Sequence, residues 1–146
     1  MGSFSRYLIA AAVVLVEAVI NSPAFSQPAS GQTVWDGVYA DAQTKRGAEV
    51  SKASCVSCHG DELAGSDLAP ALQGDDFRGA WAGRTAAELF EKVQTTMPAD
   101  RAGTLKPQQS ADLVAYIFKI NDYPAGAADL ASEMPALQQI KITSKK

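Results

Sequence analysis

Cys55, Val56, Ser57, Cys58 and His59 hold the chain's two cysteines and its one histidine, in the order Cys-x-x-Cys-His. Two thiols three residues apart on a short helical turn can each form a thioether to one vinyl group of a haem, and the next side chain then faces the iron. His59 would supply the proximal nitrogen ligand. A zinc site needs three or four protein ligands, and the sequence has no other Cys or His. A thioredoxin-like dithiol belongs to a strand–helix–strand pattern, which is not visible here. The residues therefore indicate one haem c, covalently bound through Cys55 and Cys58.

Other side chains near the motif have two readings each. The Trp81 indole N–H could donate to a haem propionate, or the ring could simply be a buried aromatic in a glycine-rich segment. Arg78 and Arg84 could pair with propionates or be solvated cations. Asp61, Glu62, Asp67, Asp75 and Asp76 follow the motif with no Lys or Arg among them. An acidic patch beside one haem edge, suited to a basic docking partner, is expected from that run.

The elements that must position these residues fit into 146 residues, 47% hydrophobic and 20% charged, which is one ordinary globular domain at most. Residues 1–26 read as a secretory signal: Arg6, an apolar stretch from Tyr7 to Ile20, and Ala24-Phe25-Ser26 as a cleavage site before Gln27. Export to the periplasm is expected. Glu17 inside the apolar stretch argues against retention as a membrane anchor, so no stable membrane insertion is expected after cleavage near Ser26. Cleavage removes Arg6 and Glu17 together and leaves the net charge at −3, which gives no support for nucleic-acid binding.

Residues 27–40 read as a leader, of which 33–39, with Val34, Trp35, Val38 and Tyr39, should lie against the domain surface. A first helix is expected from about Ala42 into the haem motif, with Gly47 inside it for a packing reason. Residues 60–84, with five glycines and Pro70, read as mostly loop. Thr85 and Glu88 form a capping box, followed by an apolar stripe of Ala86, Leu89, Phe90 and Val93 that ends near Met97-Pro98. Pro107 starts another helix with a stripe of Leu113, Tyr116, Ile117 and Ile120. Residues 124–146 are expected to be an extension with at most a short helix and a basic end.

Gly47 eight residues before Cys55, the Cys-x-x-Cys-His motif, and Ala111-Asp112-Leu113-Val114-Ala115-Tyr116 occur in the same order as in the class I c-type cytochromes, which residues 41–121 resemble. The resemblance implies an all-α cytochrome c fold, with three to five helices around one haem in residues 41–123. It also implies Gly47 against Tyr116, the Pro70 carbonyl accepting from the His59 imidazole, and Leu72 packed on the haem. Met97, between the last two helices, stands where that family places its second iron ligand, whereas Met134, also followed by proline, lies in the tail. Ser51 departs from the aromatic usual four residues before the first cysteine, so a weaker contact between the first and last helices is expected. Trp35-Asp36-Gly37-Val38-Tyr39, Phe77, Trp81, Thr96-Met97-Pro98 and Tyr123-Pro124-Ala125-Gly126 look like cytochromes that accompany pyrroloquinoline-quinone (PQQ)-dependent alcohol dehydrogenases.

A His/Met-ligated haem leaves no open iron position, so the resemblance implies a monomeric one-electron carrier and not an enzyme. Its partners would be redox proteins, among them a PQQ-dependent dehydrogenase and a terminal oxidase. The rivals are a peroxidase, which needs a distal acid–base residue, and a gas sensor with a displaceable Met97.

Overall fold

The computed structural model describes residues 31–144. The expected signal segment, the start of the leader and the last two lysines lie outside the described residues. In chain order the elements are β1 (Gln32–Thr33), α1 (Asp41–Ser54), α2 (Val56–His59), a 3-10 turn (Asp61–Leu63), α3 (Gly74–Trp81), α4 (Ala86–Thr96), α5 (Pro107–Ile120), α6 (Met134–Leu137) and β2 (Ile140–Lys141). The four long helices carry the fold, while α2 and α6 are single turns. Among the described residues, no helix is long and apolar enough to cross a membrane.

The pairing of α1 with α5 is the most extensive contact between elements. It depends on Gly47, where a Cβ would run into the Asp112 carbonyl oxygen and stand 2.8 Å from the Tyr116 Cβ. Bare backbone at that point lets the two helices cross at close range. Ser51, one turn further on, is itself buried in this region, so the missing aromatic does not separate the helices. Arg46 reinforces the crossing by forking onto the Asp112 carboxylate with two contacts of 3.1 Å, and it also reaches Asp129.

Local sequence rules account for the starts of α4 and α5. The Glu88 amide donates to Thr85 Oγ1 at 3.2 Å and the Thr85 amide donates to Glu88 Oε2 at 2.8 Å, a complete capping box. These same contacts hold the Glu88 carboxyl below the usual carboxylate range. The stripe of Ala86, Leu89, Phe90 and Val93 is buried as expected. Pro107 opens α5, which buries Leu113 and Ile117 but leaves Tyr116 and Ile120 half-buried.

Two expectations need correction. Residues 60–84 are not mostly loop, since Gly74–Trp81 is a helix and Asp61–Leu63 a 3-10 turn. The α3 helix has only Phe77 and Trp81 to anchor it, one turn apart with ring centroids 6.2 Å apart, and glycines at its start and inside it hide the period. Asp75 and Asp76 in the first turn favour its start electrostatically. The second correction concerns residues 33–39, which do not merely lie on the surface: Val34 and Tyr39 are buried in the core.

Both ends of the described chain enter that same core. Strand β1 pairs in parallel with β2, and Leu130, Leu137, Ile140 and Ile142 are buried in one cluster with Val34 and Tyr39. The fully buried Gln43 of α1 receives the Leu130 amide on Oε1 at 2.6 Å and donates from Nε2 to the Leu130 carbonyl at 3.0 Å. A side chain here substitutes for a strand partner. Gln43→Ala should therefore destabilise the domain by about 2–4 kcal/mol, because it leaves two buried backbone groups without partners. Denaturant unfolding followed by helical circular dichroism measures this, and a change within error of zero would show that the pairing carries no net stability.

Candidate haem site

Cys55 ends α1 and begins α2. Its carbonyl accepts from the amides of Cys58 at 3.1 Å and His59 at 2.9 Å, so the motif closes as one helical turn. Both cysteines are free thiols, Cys55 half-buried against the core and Cys58 exposed. Burial pushes the Cys55 thiol above its usual range, partly offset by a hydrogen bond with Ser51. Among the described residues, no group of three or more His, Cys, Asp or Glu side chains is gathered as a metal site, which removes the zinc reading there.

His59 is buried and its Nδ1 lies 2.7 Å from the Pro70 carbonyl oxygen. A carbonyl only accepts, so Nδ1 carries the proton and Nε2 presents its lone pair. That tautomer is the one an iron ligand requires. Two unbridged thiols beside an imidazole held in this state fit haem c.

The loop that delivers Pro70 is tightly folded. Gly60 and Gly65 both have positive φ, and a Cβ on Gly65 would stand 2.8 Å from the Ala71 amide nitrogen. The Gly65 amide donates to the His59 carbonyl at 2.7 Å, and Ser66 Oγ donates to the Cys58 carbonyl. Leu72 is fixed from two sides: its amide donates to the Leu63 carbonyl at 2.9 Å, and its carbonyl accepts from Asn121 Nδ2 at 2.9 Å. Asn121, at the end of α5 and buried, also bonds the Ile117 carbonyl. No local signal in the sequence connects Asn121 to Leu72.

Met97 caps the C-terminus of α4 in extended conformation, half-buried, with its amide on the Val93 carbonyl at 3.2 Å. Met134 starts α6 and packs against the core. Trp81 ends α3, half-buried, stacked on Phe77 with the Arg84 guanidinium carbon 5.1 Å from its ring centroid. An open groove of about 410 Å³ runs from Trp81 and Arg84 along Glu88, Glu91 and Lys92. It touches Trp81 but no residue of the Cys55–His59 motif. The five acidic residues of the run from Asp61 to Asp76 are all exposed, although Asp75 pairs with Arg78 at 3.0 Å.

Residues 42–117 match the family described as cytochrome c oxidase, cbb3-type, subunit III. No curated protein matches the chain. Among solved structures, the sulfane dehydrogenase SoxCD from Paracoccus pantotrophus contains a chain of similar fold, with a TM-score of 0.54 and 20% identity. The alignment covers 74% of this chain and 61% of that one, so this protein spans about three-fifths of its neighbour's length.

Proposed function

The chain belongs to the family described as cytochrome c oxidase, cbb3-type, subunit III, whose pattern spans more than half of it, and from that membership we propose that it is a periplasmic one-electron carrier and not an enzyme. It is a c-type cytochrome with the all-α cytochrome c fold, and its function is haem-based electron transfer. Haem c, when bound, supplies the one-electron couple of its iron.

The chain's own residues hold and tune the cofactor. Cys55 and Cys58 would bind it covalently, His59 would ligate through Nε2, and Met97 would provide the second ligand. Pro70 fixes the imidazole, while Leu72 would pack on the porphyrin and Trp81 would donate to a propionate. The observation that carries this reading is the 2.7 Å contact from His59 Nδ1 to the Pro70 carbonyl, which leaves Nε2 directed away as a lone-pair donor. The partners are redox proteins, with a PQQ-dependent dehydrogenase as electron donor and a terminal oxidase as acceptor. The tail pattern Tyr123-Pro124-Ala125-Gly126 supports the dehydrogenase subclass.

Expression with a haem-maturation system tests the core of the proposal. Haem-stained denaturing gels should show one covalent haem per chain, and a redox titration should follow a single one-electron step. Cys55→Ala and Cys58→Ala should each remove most of the holoprotein, and the double variant should bind no covalent haem. A wild-type chain that folds stably in the periplasm with no covalent haem would sink the proposal.

A further inference from the structure

Two segments far apart in the sequence meet at one aromatic cluster. Trp35, from the leader, stands edge-on to Tyr123 with ring centroids 4.9 Å apart and an interplanar angle of 79°. Tyr123, just past α5, is edge-on in turn to Phe118 at 5.8 Å. Tyr123 is 3% exposed. Its hydroxyl and the Trp35 indole nitrogen are both buried with no hydrogen-bond partner.

A donor sealed from water without an acceptor is unfavourable, and here two such donors stand on rings packed against each other. Indole N–H can only donate, which fixes the sign of the missing group. Burial pushes the Tyr123 phenol above its usual pKa, so it stays protonated and able to donate, while the charge on Arg78 partly opposes that rise. Arg78 of α3 thus adds a cation near the phenol. Its salt-bridge partner, Asp75, is fully exposed and stands on the solvent side. An N–H and an O–H on packed rings, both without an acceptor, suit a carboxylate, which only accepts.

We propose that Trp35 Nε1 and Tyr123 Oη are the donors that hold a propionate of the haem. This rests on the haem c reading above. Both aromatic residues lie outside residues 42–117, so the site is an addition to the family's pattern, made by the segments that flank it.

Tyr123→Phe, which removes a single oxygen, and Trp35→Phe, which keeps an aromatic ring, test the proposal on purified holoprotein. Each should shift the propionate bending band in the resonance Raman spectrum. Each should also lower the midpoint potential, because a less neutralised carboxylate favours the oxidised iron. The axial-ligand bands should not move. If both variants carry a full complement of haem and neither the propionate band nor the potential changes, the donors are satisfied by water and the proposal is overturned. A wild-type protein without covalent haem would overturn the parent reading and this one with it, and that result is visible before any substitution is made.

Discussion

Replacing Met97 by Ala should abolish the sulfur-to-iron charge-transfer band of the oxidised protein and lower its midpoint potential by some tenths of a volt, within the roughly 0.8 V that axial ligands span. A neutral thioether favours the reduced iron, and its loss leaves a position that water or an added ligand can take. Cyanide and imidazole should then bind readily. Met97 caps α4 ahead of the loop that leads to α5, whereas Met134 sits on α6 and packs into the core. Met134→Ala should therefore leave band, potential and ligand binding unchanged while costing some stability. Loss of the band in the Met134 variant alone would overturn the ligand assignment.

Gly47→Ala should lower stability by about 3 kcal/mol or more, the upper part of the range for overpacked contacts. Helix propensity alone predicts the opposite sign, since Ala is better than Gly in a helix interior by about 1 kcal/mol. The crossing decides the outcome, because the new methyl would meet backbone and not a flexible side chain. It would overlap the Asp112 carbonyl, whose carbon would be 2.7 Å away. To relieve that overlap α5 must move outward, and the two contacts of Arg46 with the Asp112 carboxylate are lost with it. Gly79→Ala is the matched control, since a Cβ there meets nothing within 4 Å, and it should be neutral or stabilising by up to about 1 kcal/mol. If urea unfolding of the holoproteins gave Gly47→Ala the same small gain as Gly79→Ala, the close crossing would not be the reason for the glycine.

What the sequence revealed and what it concealed divide along a physical line. The Thr85 capping box, the Pro107 start and the Cys55–His59 turn depend on residues within a few positions of each other, so their types and spacing are enough to read them. The Gly47 contact with Tyr116 and the Pro70 carbonyl on His59 were reached through family likeness, because no local pattern announces a partner 11 or 69 positions away. Helix α3 was hidden because its two aromatic anchors give too short a stripe against the glycines around them. Gln43, Asn121 and the unpartnered donors of Trp35 and Tyr123 had no signal at all. Each acquires its role from backbone or side chains that only tertiary folding brings close.

The joining of the two ends has a consequence for the order of assembly. Tyr39 donates to the Tyr123 carbonyl across 84 residues, and Gln43 grips Leu130 across 87. Such contacts close large loops, whose entropy must be lost before the contact repays it. The helical pairs around the haem motif are free to form earlier, and the ends then zip over them as a seam. Strands β1 and β2, only two residues each, are therefore expected to open before the α1 and α5 crossing gives way, and earlier amide exchange at Val34 than in α5 would show it.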